Sequence, residues 1–156
     1  MDTATRSRAE ALARTVKYVH WQHHRALDAR LRAVGSTVVQ WDVLCALESD
    51  PSASGHDLAM ATFQSDQALG VLTRRMEAKG LIERSVPHGR RFEHRVTAAG
   101  QYILDIGHSY ADEIFEHSFS QLVDAEQATL AQLLQCVADT PGLPADRRAI
   151  RTEAPA

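Results

Sequence analysis

The sequence predicts a mainly α-helical fold that contains one small two-stranded β-sheet, and three observations support this prediction. Apolar residues recur at three- and four-residue steps along most of the 156-residue chain, as they do in amphipathic helices. In residues 80–97, two runs that mix apolar and polar residues flank the tip His88-Gly89-Arg90-Arg91, which is typical of a hairpin. No apolar run approaches the roughly 20 residues that span a bilayer, and the chain length suits one structural domain.

The helices are predicted from this periodicity and from capping residues. The second helix is apolar nearly all round, which is typical of a buried helix. The first helix carries the apolar stripe Leu12, Val16, Val19, His23, Leu27, Leu31 and Val34. The predicted helices span residues 7–34, 38–49, 56–62, 65–79, 98–122 and 125–139. Four of them have capping residues, namely Thr37, Ser65, Thr97 and Asp124, the last with Gln127 in a variant capping box.

Three short helices followed by a two-stranded hairpin describe a winged helix-turn-helix, and the long helices at either end are additional to it. A helix of about 28 residues is about 42 Å long at ~1.5 Å per residue, more than so small a domain can cover. The uncovered stripe predicts a homodimer in which the terminal helices of two subunits interleave. The expected parts are an N-terminal dimerisation helix (1–34), a DNA-binding lobe (35–97), C-terminal dimerisation helices (98–140) and a frayed tail (141–156).

Charge is distributed unevenly along the chain. The formal net charge of −3 would by itself argue against nucleic-acid binding. Residues 64–97, however, hold seven basic side chains against four acidic ones, whereas residues 98–139 hold seven acidic side chains and no lysine or arginine. The first segment could therefore face an anion, and the second would repel one.

The helix of residues 65–79 is the predicted reading helix of the helix-turn-helix. Its inward stripe consists of Leu69, Leu72 and Met76. We expect Gln67 to contact bases, because glutamine can form two hydrogen bonds with adenine, and Arg74 and Arg75 to contact phosphates. Asp66 is interpreted as a first-turn partner of the helix dipole, since phosphates would repel a carboxylate. The predicted DNA contacts are Ser65, Gln67, Gly70, Val71, Arg74, Arg75, His88, Arg90 and Arg91.

Two of these contacts are hypotheses about particular features. A glycine in the middle of a helix costs about 1 kcal/mol relative to alanine, so Gly70 is expected to let the helix backbone approach DNA closely. A hairpin tip with Arg90 and Arg91, held clear of the core, can reach a phosphate backbone or a narrow minor groove. The alternative is that the tip is polar only because it is solvated.

The ordered segments "QWDVLCALE", "HDLAMATF", "SDQALGVLTRRMEAKGLIER" and "RVTAAG" resemble the MarR family of bacterial transcriptional regulators over about residues 34–104. The most specific piece is "RRMEAKGLIER", which leads into a wing that closes with a threonine and, three residues later, Gly100. The resemblance implies a homodimeric repressor or activator that binds a pseudo-palindromic operator and is released by a small molecule or by oxidation. The chain departs from the family where His88 stands at the Asp position of the wing signature, and where Ala68, Gly70 and Val71 leave few hydrogen-bonding groups on the reading helix.

The resemblance also implies a ligand pocket between the first, second and fifth helices and the DNA-binding lobe. Trp21, His24 and Trp41 would then line a cavity for a small aromatic or phenolic anion, with Tyr102 as a further candidate. The alternative is that these aromatic residues only pack in the core.

Other sensor chemistry is less well supported by the pattern. His20 and His24 lie one helical turn apart, as a metal site could use, but packing at the dimer interface explains the histidines of "HWQHH" without a metal. Asp105, His108, Asp112 and Glu116 share a face that is interpreted as solvated surface. Cys45 and Cys136 have no metal-ligand spacing and are expected to be small buried residues, and no cation adjacent in sequence would activate Cys45.

The sequence therefore predicts a cytoplasmic, homodimeric, ligand-responsive DNA-binding regulator without a cofactor or enzymatic activity, since no nucleophile-base set and no phosphate loop is found. The expected partners are an operator in double-stranded DNA and a second copy of the chain, with no membrane. Two alternatives stay open, which are a metal- or redox-responsive regulator of the same fold and a winged-helix module that binds proteins and no DNA.

Overall fold

The computed structural model describes residues 3–85 and 93–141. Within these residues it has six helices and one antiparallel two-stranded sheet, which confirms the predicted fold class. The elements are α1 (Thr3–Ala33), α2 (Val38–Ser49), α3 (Gly55–Ala61), α4 (Asp66–Ala78), β1 (Ile82–Ser85), β2 (Glu93–Val96), α5 (Ala98–Phe119) and α6 (Asp124–Ala138). The predicted wing-tip contacts His88, Arg90 and Arg91 lie outside the described residues.

The chain divides into two compact units, Met1–Phe115 and Glu116–Ala156. The first contains α1 to β2 and most of α5. Its core is formed by side chains that are at most 7% exposed, namely Leu27, Leu31, Val38, Val43, Leu44, Leu47, Ala53, Leu58, Ala59, Leu69, Met76, Leu81, Ile82, Ile103, Leu104 and Ala111. The second unit contains α6, on which no residue is buried.

Side-chain caps begin the short helices of the first unit. The Thr37 hydroxyl accepts a hydrogen bond from the Gln40 amide at 3.3 Å, as predicted for α2. The Ser65 hydroxyl does the same for the Ala68 amide at 3.2 Å and caps α4. These caps satisfy amides that have no partner within the helix, so they define where α2 and α4 begin.

The predicted capping box of α6 is wrong by one residue. The capping residue is Val123, whose amide donates to the Glu126 carboxylate at 3.0 Å, and Asp124 is the first helical residue. The Gln127 side chain instead donates to the Leu122 carbonyl at 3.1 Å. Glu126 therefore takes the role predicted for Gln127 because it lies three residues after the true cap.

The predicted inward stripe of α4 is confirmed, since Leu69 and Met76 are buried and the half-buried Leu72 packs against the core. Thr73 is buried as well, with its hydroxyl donating to the Leu69 carbonyl at 3.1 Å. The prediction for the cysteines needs correction. Of the two cysteines, Cys45 is half-buried but Cys136 is exposed, since α6 buries no side chain. The prediction that α2 is a buried helix is confirmed, with five of its twelve residues buried.

The apolar stripe of α1 is covered only along part of its length. Leu27 and Leu31 are 4% and 0% exposed and belong to the core. Leu12 and Val16, on the same stripe towards the N-terminus, are 63% and 52% exposed. The stripe therefore continues beyond the part of the described chain that packs against it. None of the described helices is both long enough and apolar enough to cross a membrane.

Candidate nucleic-acid interface and ligand cleft

Helix α4, the predicted reading helix, is held in the fold by one buried side and exposes the other. Leu69, Thr73 and Met76 are buried in the core. Gln67, Val71, Arg74 and Arg75 are exposed, and Gly70 is half-buried. The residues predicted as base and phosphate contacts on α4 therefore lie on its solvent side, as the reading helix of a helix-turn-helix requires.

The cations of this surface differ in what they contact. The Lys79 ammonium donates to the Gly35 carbonyl at 3.0 Å and so joins the end of α4 to the end of α1. Arg74 and Arg75 form no ion pair with another residue of the described chain. Their charge is therefore available to an external anion, whereas Lys79 already has a structural contact.

Asp66 lies in the first turn of α4, where the helix dipole favours a carboxylate, as predicted. It also contacts a residue that the sequence did not indicate, because its carboxylate lies 3.0 Å from Nδ1 of His56 on α3. Both side chains are mostly exposed. The pair links the two helices of the helix-turn-helix beside the reading surface.

The wing strands begin directly beside α4. Strand β1 pairs antiparallel with β2, with Arg84 opposite His94. Nε2 of His94 lies 3.3 Å from the Glu77 carboxylate on α4, and its Nδ1 is buried without a hydrogen-bond partner among the described residues. This contact fixes the base of the wing against the reading helix. It joins residues from distant parts of the sequence, so no local pattern signals it.

Gly70 faces an open cleft between α3, α4 and the wing strands. This cleft has a volume of about 530 Å³, and its lining includes His56, Arg74, Arg84 and His94. A Cβ atom added at Gly70 would meet nothing within 4 Å. The structure therefore offers no packing reason for glycine at this position of the helix.

We expect Gly70→Ala to raise the free energy of unfolding by about 1 kcal/mol, because alanine is the better helix former and its methyl group meets open space. We expect the same change to weaken operator binding, since the added methyl group would separate the helix backbone from DNA. Urea unfolding and fluorescence anisotropy with operator DNA measure the two effects. Unchanged operator affinity in the stabilised variant would show that close backbone approach is not the role of Gly70.

A second cleft lies among α1, α2, α3 and the turn that follows α3. Its volume is about 620 Å³, which is in the range of small-molecule sites. Its lining residues are His20, Trp41, Asp42, Cys45, Ala46, Ser49, Asp50, Ala53, Asp57, Leu58, Ala61, Thr62 and Phe63. We refer to it as the α2–α3 cleft.

Burial shifts the pKa values of two ionisable groups in the α2–α3 cleft, Asp42 and Cys45. Burial raises the pKa of the Asp42 carboxyl, and the nearby His24 and His20 partly offset this effect. Burial, together with the carboxylates of Asp42 and Glu48, raises the pKa of Cys45 to about 12. A thiol with so high a pKa is a poor nucleophile at neutral pH, which gives the redox alternative no support from Cys45.

The four predicted ligand contacts do not come together. Trp41 lines the α2–α3 cleft, and its indole donates to the Leu104 carbonyl on α5 at 3.2 Å. His24 does not line the cleft but lies near Asp42. Trp21 lies outside this lining and stacks on Tyr18 with ring centroids 5.9 Å apart. Tyr102 is 58% exposed on α5 and does not line the cleft either.

The histidines of the segment "HWQHH", of which His20 and His24 were considered for metal binding, show ring packing on α1 and against α5. His23 packs edge-on against Phe115, and the rings of His20 and His24 lie 6.1 Å apart. Among residues 3–85 and 93–141, no group of three or more histidine, cysteine, aspartate or glutamate side chains is arranged to hold a metal ion.

The face interpreted as solvated on α5 also needs a correction. His108 contacts the Glu48 carboxylate at 3.0 Å and packs edge-on against the Trp41 ring. His108 therefore belongs to the α2–α5 contact, because helix packing brings Glu48 and Trp41 to it. Asp105 and Asp112 are exposed as expected.

Sequence reasoning missed Asp42 and Phe63 of the α2–α3 cleft. Asp42 is half-buried near His20 and His24 of α1, a surrounding that no local pattern indicates. Phe63 did leave a local signal, because it follows the end of α3 at a position where glycine is normally found, and no glycine occurs there.

Comparisons with known proteins agree on the type of fold. Residues 34–91 match a family model described as the MarR family. The chain is 23% identical over 121 residues to the HTH-type transcriptional repressor IacR of Pseudomonas putida. This alignment covers 76% of this chain and 72% of IacR.

Two solved structures are similar over most of the chain. A variant of MarR from E. coli, complexed with operator DNA, is 25% identical with a TM-score of 0.72 and covers 81% of this chain and 93% of its own. BpsR of Bordetella bronchiseptica, whose DNA binding is regulated by 6-hydroxynicotinic acid, is 22% identical with a TM-score of 0.72. The similarity covers 83% of this chain and 99% of the BpsR chain. Residues 34–91 therefore carry the sequence pattern of the MarR family, and the fold of the chain is similar to that of MarR from E. coli.

Proposed function

We propose that the chain is a cytoplasmic, homodimeric repressor that binds a pseudo-palindromic operator and is released by a small ligand. The observation that carries this proposal is the solvent side of α4, where Gln67, Arg74 and Arg75 are exposed beside the wing strands. The MarR variant from E. coli was crystallised with operator DNA, and IacR is a repressor, which supports the same activity here. The chain would act by occupying DNA, without chemistry of its own.

The bare half of the α1 stripe supports a dimer. Leu12 and Val16 continue the line of Leu27 and Leu31, so an apolar face of one helix runs from the core into solvent. A second copy of α1 would cover it and would place two reading helices on one DNA. Engagement of both half-sites requires these helices to be about one DNA turn apart, roughly 34 to 36 Å. A ligand that changed this separation would release the operator.

Operator binding should depend on α4 and on salt. We expect the chain to bind the DNA upstream of its own gene. The double variant Arg74→Ala/Arg75→Ala should bind this DNA more weakly, and its affinity should depend less steeply on salt concentration. Each lost phosphate contact removes about one unit from the slope of log affinity against log salt. Fluorescence anisotropy from about 50 to 200 mM salt measures both quantities.

The matched control is Arg14→Ala, which removes an exposed arginine from α1 that pairs with Glu10. Its affinity and salt slope should equal those of the wild type. An unchanged slope in the α4 variant would refute phosphate contact by these arginines. Failure of the wild type to bind any upstream fragment would instead favour the protein-binding alternative.

A further inference from the structure

Three helices of the described chain end in the same hydrogen-bonded turn, in which an amide donates to the carbonyl five residues before it. The three bonds are Ser36 to Leu31, Leu81 to Met76 and Gln64 to Ala59. Glycine takes the left-handed position of the first two turns, with φ of 78° at Gly35 and 70° at Gly80. Phe63 takes it in the third, with φ of 54°. A bulky side chain in this conformation is strained, so Phe63 needs a reason that local structure does not give.

Phe63 is also 95% exposed, so its ring gains no stability from burial in the described chain. Two features point to what it could contact. It lines the α2–α3 cleft, and it lies two residues before Ser65, which caps the reading helix. A molecule in the cleft could therefore bury the Phe63 ring and act directly on the start of α4.

The charge of the α2–α3 cleft selects the kind of molecule. Its lining contains three carboxylates and one histidine, His20, and no lysine or arginine. Asp50 accepts hydrogen bonds from Ser52, and Asp57 accepts them from Ser54. Asp42 is half-buried and makes no hydrogen bond to a described residue. The cleft thus holds one carboxylate that lacks a donor, and an anionic ligand would be repelled there.

We propose that the α2–α3 cleft binds a ligand with a protonated amine and a flat apolar body, and that Phe63 couples the binding of this ligand to the start of the reading helix α4. The ammonium group donates to Asp42, and the Trp41 and Phe63 rings contact the apolar body and attract its positive charge. This inference rests on the proposed function, because release of an operator is its consequence. It replaces the phenolic anion expected from the resemblance with a ligand of opposite charge.

The first test compares two probes of similar shape and opposite charge, 2-phenylethylammonium and 3-phenylpropanoate. Isothermal titration calorimetry with the full chain should give binding of the ammonium probe and at least about tenfold weaker binding of the carboxylate probe, because a charge-assisted hydrogen bond contributes about that factor. Equal or tighter binding of 3-phenylpropanoate would overturn the proposal.

The second test assigns the ammonium contact to Asp42. Asp42→Asn should lower the affinity for 2-phenylethylammonium at least about tenfold, whereas Asp112→Asn, which changes an exposed carboxylate on α5, should leave it unchanged. Equal affinities of the two variants would refute the role of Asp42. Asp42→Asn is expected to fold, since burial raises the pKa of the Asp42 carboxyl, so folding favours the uncharged form of this side chain that asparagine resembles. The wild type should gain stability as pH falls through that raised pKa, and the variant should lack this gain.

The third test concerns Phe63. Phe63→Gly relieves the left-handed strain, so its urea midpoint should rise and loss of function could not be assigned to unfolding. The ammonium probe should weaken operator binding by the wild type. The factor by which it weakens binding should be at least about tenfold smaller for this variant. An unchanged effect would refute the coupling through Phe63. Operator binding without any probe tests the proposed function separately, because it can succeed while every probe fails to bind.

Discussion

Replacement of Val16 with glutamate is expected to convert the proposed dimer into a folded monomer. Val16 is 52% exposed on the bare half of the α1 stripe, so a charge there does not disturb the core of one chain. In a dimer the same position would be buried, and an unpaired carboxylate would be desolvated. Sedimentation equilibrium and circular dichroism measure the oligomeric state and the fold.

The effect on DNA should be larger than the effect on the fold. Two linked reading helices bind two half-sites with an avidity that exceeds single-site affinity by about 10² to 10⁴, so the monomer should lose at least about 100-fold in operator affinity. Ala11→Glu adds the same charge on another side of the same exposed helix and should remain dimeric with wild-type affinity. A Val16→Glu protein that stays dimeric would place the dimer interface elsewhere.

Gly100→Ala is expected to destabilise the chain by about 1 to 3 kcal/mol, the range typical of overpacking. An added Cβ atom would collide with the Leu81 carbonyl oxygen and lie 2.9 Å from Cγ1 of Val96. The Leu81 carbonyl is backbone and accepts the Thr97 amide at 3.1 Å, so it cannot easily move. The first turn of α5 would have to lift from the base of the wing, and operator binding should weaken with it.

Gly55→Ala is the matched control, because a Cβ atom at Gly55 would meet nothing within 4 Å. Its unfolding midpoint in urea should equal or slightly exceed that of the wild type. Equal stability of the two variants would show that the Gly100 contact can relax. Their operator affinities, measured at the same salt, should separate in the same direction.

The threonine and glycine that close the wing illustrate how far the sequence reached. Their spacing supported the resemblance to the family, but it did not explain why the glycine is needed. The Thr97 hydroxyl accepts the Gly100 amide at 3.1 Å and donates to the Gly80 carbonyl, so Thr97 caps α5 and ties it to the end of α4. This reason depends on residues 17 positions apart and could not be read locally.

The candidate sites were predictable to different degrees. The exposed side of α4 follows from helical periodicity, so the positions of Gln67 and Arg74 on that side follow from the order of residues within the helix. The α2–α3 cleft does not follow from the sequence, because its lining comes from α1, α2, α3 and a turn. Of the predicted contacts only Trp41 lines it, and the carboxylate that distinguishes it, Asp42, has an ordinary sequence context.

The amino-acid order was sufficient for the helices, the hairpin and the solvent side of the reading helix, because periodicity and caps depend on residues within a few positions of one another. Three other features arise only in the folded chain, since each depends on segments far apart in sequence. They are the burial of Asp42, the contact of His94 with Glu77 and the close approach at Gly100. The strained Phe63 lies between these cases: its position after α3 is local, but the cleft that it lines is assembled by tertiary packing.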